Sequence, residues 1–257
     1  MHKVVRKFLR FCGLYDSVVD LKRYLTKTQS NYINFYSNFI DKGDLCFDIG
    51  ANVGRRTKVF LKLGAKVIAV EPQEHCIKVL RKKYEKNNNV ILVKKAIGEE
   101  EGHAEMMLCD SHSLSSLSKN WIESVKGSGR YSQCTWNKTE VVPIITLDSM
   151  ISQYGKPSFI KIDVEGYEYE VLKGLSQPIR TICFEFTPEF IESTIKCVKY
   201  LSNIGSPQFN YCTEDKQTTF VFSKWCTPEE MGEVLSSSSN KTVGDIYAKF
   251  EDRTKNY

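Results

Sequence analysis

The chain lacks the spacing marks of a metal-bound or disulfide-stapled scaffold. It has no Cys-x-x-Cys pair, and its nine cysteines (12, 46, 76, 109, 134, 183, 197, 212 and 226) are odd in number. That pattern supports neither a disulfide framework nor a structural zinc motif. Cys46 and Cys183 sit inside apolar runs, where a free thiol behaves as a small hydrophobe, so a reducing, cytoplasmic compartment is expected. No run reaches the roughly 18 apolar residues that span a bilayer. Residues 1–12 are basic, but charge interrupts their apolar positions, so they are not expected to form a signal peptide. No internal repeat is present. Charge of one sign is also scarce. Lys and Arg number 36 against 31 Asp and Glu, a net charge of +5, and the interspersed pattern does not argue for nucleic acid. DNA is not an expected partner.

What is present begins with helix-period residues over 3–41, broken near Gly13. Val4, Val5, Phe8, Leu9 and Cys12 share a helical face. That is the stripe of a helix docking on its domain, and the alternative is a peripheral membrane contact through the basic helix. Tyr32, Phe35, Tyr36 and Phe39 fall where they can cover the start of a sheet. Strand and helix then alternate: strands at 45–49, 66–70 and 90–95, helices at 55–63 and 74–86. Strands resume at 140–145, 158–162 and 181–186, with helices at 147–154 and 167–175. Continuous apolar strands alternating with helices predict an α/β doubly wound, mostly parallel sheet with helices on its faces. Residues 208–212 and 218–222 predict a closing antiparallel hairpin. Thr187-Pro188-Glu189 predicts a helix start with Thr187 as N-cap, and Thr227 to Glu230 a capping box. The tail beyond Ser236 is polar and expected to be loosely held. This gives a helical N-terminal extension (1–42), a core domain (43–226) with an insertion or lid at 98–140, and a C-terminal helix and tail (227–257).

The densest signal is Asp48-Ile-Gly50-Ala-Asn52-Val-Gly54, an apolar strand running into a glycine turn and then a helix. Such a turn lets a backbone approach a nucleotide-like ligand. The middle glycine of G-x-G-x-x-G is missing, which weakens a nicotinamide oxidoreductase reading. Asp48 would repel a phosphate, so the turn suits a cationic, phosphate-free cofactor such as S-adenosylmethionine. Glu71 lies 21 residues beyond Gly50 (71 − 50), at a strand end where an acid hydrogen-bonds ribose hydroxyls. In Lys161-Ile-Asp163-Val-Glu165 the alternation puts Lys161 and Asp163 on one face. Asp163 and Glu165 then sit at the strand's carboxyl end, and Glu185 at the end of the next strand faces the same crevice. The cluster suits base and positioning chemistry, and its bland reading is a structural ion pair. Three carboxylates there are also able to bind a divalent ion through oxygen, but no histidine or fixed ligand spacing supports one, so no metal is expected. His112, among Ser111, Ser113, Ser115 and Ser116, is either an acceptor-binding or base residue or a solvated loop histidine.

Taken in order, Asp48-Ile-Gly-Ala-Asn-Val-Gly54, Glu71-Pro72, Lys94-Lys-Ala-Ile-Gly98, Thr146-Leu-Asp148 and Lys161-Ile-Asp-Val-Glu-Gly-Tyr-Glu168 resemble the FkbM-type S-adenosylmethionine-dependent methyltransferases. The resemblance covers about residues 40–225. It implies the class I Rossmann-like fold and O-methylation, often of sugar hydroxyls on glycans, glycolipids or secondary metabolites. It implies a cofactor set of Asp48, Gly50, Asn52, Gly54, Thr57, Glu71, Pro72, Ala96, Ile97 and Asp163, with Ala96 and Ile97 bordering the adenine. Lys161, Asp163, Glu165 and Glu185 form the candidate catalytic set. Arg55-Arg56 departs from the apolar residues of many relatives. A base is needed because an alcohol is a poor nucleophile at neutral pH. The rivals are an RNA ribose methyltransferase and a non-catalytic S-adenosylmethionine-binding protein. Amino-methylating nucleic-acid enzymes resemble one another in an Asp/Asn-Pro-Pro-aromatic motif that is absent here, and no Pro-Cys pair offers a base-attacking thiol.

Overall fold

The computed structural model describes residues 29–214, 218–237 and 242–250. The apolar stripe from Val4 to Cys12, and with it the membrane-contact reading, lies outside the described residues. After α1 (29–36) the chain alternates β1 (Leu45–Ile49), α2 (Arg55–Lys62), β2 (Lys66–Val70), α3 (Glu74–Tyr84) and β3 (Val90–Val93). A second, smaller sheet follows, from β4 (Ala96–Ile97), β5 (Gly102–Leu108) and β6 (Lys138–Ile145), with α4 (Lys119–Gly127) between β5 and β6. The chain then returns through α5 (Leu147–Tyr154), β7 (Phe159–Ile162), α6 (Glu168–Lys173), β8 (Thr181–Phe186) and α7 (Ile191–Ile204). It ends with β9 (Pro207–Thr213), α8 (Pro228–Ser236) and β10 (Gly244–Phe250).

The main sheet runs β3-β2-β1-β7-β8-β10-β9. Its pairs are parallel except where β10 runs antiparallel to β8 and β9. This is the doubly wound, Rossmann-like arrangement expected from the alternation. Strand order reverses at β1, which lies between β2 and β7, and a crevice opens beyond the carboxyl ends of strands at such a switch point. Every residue of β7 is buried, and four of the five in β1 and β2. Both faces are covered, which is why these strands carry continuous apolar runs rather than alternation.

The α1 aromatics cover the start of the sheet as anticipated. Phe35, Tyr36, Phe39 and Ile40 are buried, and Tyr36 meets Phe60 and Phe159 edge-on at 5.2 and 5.6 Å between ring centres. Each such side chain contributes roughly 1.5–3 kcal/mol through burial. Thr146 caps α5 by accepting from the Ser149 amide, and the Thr227 capping box is present.

Three local expectations are corrected. The antiparallel partner of β9 is β10 and not 218–222, which forms turns and bends. The tail beyond Ser236 therefore contains an internal strand whose residues Gly244 to Ala248 are all buried. Burial on both faces removed the alternation that marks a strand, and the serines of 236–239 hid it further. Thr187 does not cap α7. A 3-10 turn, Pro188–Phe190, comes first, and the Thr187 hydroxyl accepts from Trp121 Nε1 at 3.1 Å. The α4 helix, capped by Ser118, was not anticipated in the insertion.

Candidate active site

The turn after β1 is pinned to β2. The Gly50 and Ala51 amides donate to the Val70 carbonyl at 3.0 and 2.9 Å. Gly50 has φ +76°, and a Cβ there would fall 1.8 Å from the Asp163 carbonyl oxygen. The turn therefore meets the end of β7 with no space for a side chain. Asn52 follows at φ +49° and donates its amide to Glu71 Oε2 at 2.9 Å, while the Gln73 amide donates to Oε1 at 2.8 Å. Glu71 is 2% exposed. Burial pushes its carboxyl up to about 7, against the lowering effect of the two amides.

A cavity of about 500 Å³, mouth included, opens beyond these strand ends. Gly50, Asn52, Glu71, Pro72, Ala96, Ile97, Asp163 and Glu165 line it, with Glu71 beyond β2 and Asp163 and Glu165 beyond β7, on either side of β1. His112, Ser113 and Ser115 reach it from the insertion. Gln73 Nε2 ties that segment down by donating to the His112 carbonyl at 3.0 Å.

Three residues of the expected cofactor set stand behind the cavity wall. Asp48 and Thr57 are buried beneath the turn, where the Thr57 hydroxyl donates to Asp48. Burial raises the Asp48 pKa and the Thr57 bond opposes it. Gly54 opens α2, and a Cβ on it would fall 2.8 Å from Leu80 Cδ2 and 2.9 Å from Tyr84 Cε2. Its place is a close approach of α2 to α3.

At the β7 end the structure brings Asp163, Glu165 and Glu185 together, with one carboxylate oxygen of each within 4.8 Å of the others. Lys161 lies beneath them, fully buried. Its ammonium donates to the Ile162 carbonyl at 3.0 Å and to Asp245 Oδ1 at 2.9 Å, and stands 3.4 Å from Asp163 Oδ2. Burial would lower its pKa, but Asp163 and Asp245 hold it well above the ordinary value. Held by two hydrogen bonds and one ion pair, Lys161 acts on the acids and does not line the cavity. Burial alone would likewise raise Asp245, yet Lys161 and Arg56 keep it below the usual carboxylate range. Arg56, the departure from apolar residues, sits 3.8 Å from Asp245 and stacks over Tyr32 at 4.3 Å.

Glu165 and Glu185 are raised well above the ordinary glutamate value, by burial first and then by the neighbouring acids. Glu165 has φ +54°, a left-handed conformation that costs a non-glycine residue on the order of 1 kcal/mol. Its neighbours impose it. The Ser116 hydroxyl donates to the Glu165 carbonyl at 2.7 Å, and Glu168 Oε1 accepts from the amides of Val164 and Gly166 at 3.1 and 3.3 Å. The indole of Trp121 lies directly on Gly166, where a Cβ would fall 2.2 Å from its Cγ. A second cavity of about 260 Å³ is lined by Glu185, Glu168, Trp121 and Thr187. Glu185, expected to face the same crevice as Asp163 and Glu165, lines this second cavity and not the first, because the end of β8 lies one strand further from the turn than the end of β7. The oxygens of the three acids could also meet a hard divalent ion, but Lys161 already supplies positive charge to Asp163.

Asp245, Arg56, Glu168, Ser116 and Trp121 were not anticipated as site residues. For Asp245 the missing signal was its strand: β10 places it opposite Glu185.

The model of the methyltransferase FkbM domain family matches residues 48–208. Among solved structures, the chain is similar to precorrin-6y C5,15-methyltransferase from Geobacter metallireducens, with 11% identity, TM-score 0.45 and 88% of each chain covered. An rRNA methylase from Streptococcus thermophilus aligns at 10% identity and TM-score 0.42, over 86% of this chain and 94% of that one. Aeropyrum pernix fibrillarin, in complex with S-adenosyl-L-methionine, aligns at 10% identity and TM-score 0.43, over 82% and 68%. No curated protein sequence matches significantly.

Proposed function

The chain belongs to the FkbM methyltransferase family, and we propose that it is an S-adenosylmethionine-dependent O-methyltransferase whose acceptor is a sugar hydroxyl in a glycan, glycolipid or secondary metabolite. One observation carries the reading. A single cavity has an adenosine-type end, with Glu71 at the β2 terminus, and a carboxylate end with Asp163 and Glu165 at the β7 terminus. The residues fit the cofactor. Glu71 offers carboxylate oxygens to a ribose diol, Gly50 leaves backbone space, and Pro72, Ala96 and Ile97 give the adenine an apolar border. When bound, S-adenosylmethionine supplies an electrophilic methyl group on a sulfonium.

The remaining work falls to the chain. Glu165, which lines the cavity, accepts the acceptor's hydroxyl proton at a carboxylate oxygen, a contribution of roughly 100- to 10,000-fold. Its raised pKa makes it a stronger base once ionised. Asp163, fixed by Lys161, orients the acceptor hydroxyl, because positioning is the first requirement of an in-line transfer. Trp121 and α4 close the site over Gly166 and limit water.

Calorimetry with S-adenosylmethionine, with NADH alongside, on wild type and Glu71→Ala tests the cofactor half. Saturable binding of the methyl donor only, weakened at least tenfold in the variant, is expected. NADH binding in its place would return the chain to hydride chemistry. Transfer of a labelled methyl group to a panel of glycosides, with a short RNA as competitor, tests the acceptor half. A base-stable methyl ether on a sugar is the expected product, and methylation of the RNA alone would overturn the sugar assignment.

A further inference from the structure

Away from the cavity, the two ends of the insertion meet at a second cluster of ligating atoms. Cys109, Asp110 and Cys134 bring one sulfur or oxygen atom each within 4.8 Å of the others. The cysteines are 25 positions apart (134 − 109), so no sequence spacing announces them. The fold sets the approach. Asp110 N–H donates to the Thr135 carbonyl at 3.1 Å, and the Thr135 amide and hydroxyl donate back to the Asp110 carboxylate, both at 3.2 Å. The Ser111 amide adds a further bond at 2.9 Å. These donors orient the carboxylate as outer partners orient a metal ligand. Cys109 is itself held, its amide donating to Ser115 Oγ at 3.0 Å, and its thiol donates to Asp110 Oδ1 at 3.3 Å. Both cysteines are free thiols.

We propose that Cys109, Cys134 and Asp110 form a binding site for a thiophilic divalent cation of the zinc type, stapling the two ends of the insertion. Two thiolates and a carboxylate are a ligand set for zinc, with water in the fourth position. Zinc–sulfur bonds are about 2.3 Å long, so sulfurs within 4.8 Å of each other reach one ion with small rotations. The thiol proton between Cys109 and Asp110 lies where the ion would sit. Uptake exchanges that proton and the Cys134 proton for the metal: one divalent cation enters, two thiols become thiolates and two protons leave. Because both thiols lose their protons to the metal, uptake strengthens as pH rises. The consequence reaches the cavity, because the stapled segment carries His112, Ser113 and Ser115 to its wall and Ser116 to Glu165.

The test uses the full chain, stripped of metal and kept reduced. Zinc is titrated against a chromophoric chelator, and cobalt is added separately while thiolate-to-metal absorption is recorded. One equivalent is expected, with two protons released and a thiolate band from cobalt. Cys134→Ser should weaken zinc at least tenfold and abolish the band, and Asp110→Asn should weaken it severalfold. Glu185→Gln should leave zinc affinity unchanged. Circular dichroism confirms that each variant is folded, and Cys134, only half-buried, tolerates serine. The proposal fails if no zinc binds, if cobalt gives no thiolate band, or if the Cys109→Ser/Cys134→Ser protein binds as well as wild type. It also fails if non-reducing peptide mapping after mild oxidation finds Cys109 joined to Cys134 in a protein that takes up no zinc when reduced.

Discussion

At the β2 end of the cavity a single buried carboxylate, Glu71, is held by the backbone amides of Asn52 and Gln73. At the β7 end, Asp163, Glu165 and Glu185 crowd above a buried ammonium that is shared with Asp245 and, through it, with Arg56. The first end recognises by fixed hydrogen bonds. The second balances charge, and its acids influence one another. The hydrogen bonds that fix Glu71 are also local, from residues 52 and 73, whereas the second end joins β7, β8, β10 and the insertion. One end can therefore be rebuilt by substitution near the turn, while the other depends on the whole sheet.

The widest separation between the ends should come from Lys161→Met. Removing the buried cation leaves Asp245 with only Arg56 at 3.8 Å, and Asp163 without its partner. Breaking a buried pair from one side costs about 3–5 kcal/mol, so urea denaturation should show a loss of that order. A loss below ~1 kcal/mol would mean that the ammonium does not balance the acids.

Next in size is a change of opposite sign. Burial moves Glu168 from 4.5 to about 7. A carboxyl raised on folding contributes stability that is fully present below its unfolded pKa and is lost as pH rises through the folded value. Glu168→Gln keeps an oxygen for the Val164 and Gly166 amides and removes the charge. At pH 8 the variant should be more stable than wild type by about 3 kcal/mol, and near pH 4.5 the two should converge. Thermal unfolding across that range checks it, and a pH-independent difference would remove burial of the charge as the cause.

Glu71, raised to about 7 for the same reason, sharpens the comparison. Each Glu71 oxygen accepts one amide, so in Glu71→Gln the new NH2 group faces an N–H donor and offsets the gain from removing the charge, while S-adenosylhomocysteine binding should weaken by about 10- to 100-fold, or about 1.4–2.7 kcal/mol. Wild-type affinity should fall as pH drops below about 7. Unchanged affinity in the variant would take Glu71 out of ribose recognition.

The same contrast governs what could be read from the amino-acid order. The turn, Glu71 and the Lys161–Asp163 pairing were legible because strand alternation and a short loop place them. Asp245 was not, because its partnership with Lys161 depends on β10 entering the sheet beside β8. Residues 218–222 misled for the converse reason. Phe220 packs on Phe35 and Phe222 on Tyr211, an alternation of aromatics without a strand ladder. The Asn210 side chain serves the Phe222 backbone there, donating to its carbonyl and accepting from its amide. Ser116 and Trp121 act on backbone atoms of 165 and 166, contacts that no residue pattern marks.

Ser116→Ala is the smallest change and the most selective. The hydroxyl donates to the Glu165 carbonyl and accepts from the Ser118 amide at 2.8 Å, so its loss should cost about 1–2 kcal/mol of stability. Glu165 would then keep its left-handed backbone mainly through Glu168 and would explore other conformations. Turnover should fall by roughly 5- to 10-fold, about 1–1.4 kcal/mol in the barrier, while S-adenosylhomocysteine binds as before. The segment that holds Ser116 also lines the Glu71 end through His112, Ser113 and Ser115. An equal loss of affinity and turnover would therefore mean that the insertion sets both ends at once, and the separation between a recognising end and a reacting end would not hold.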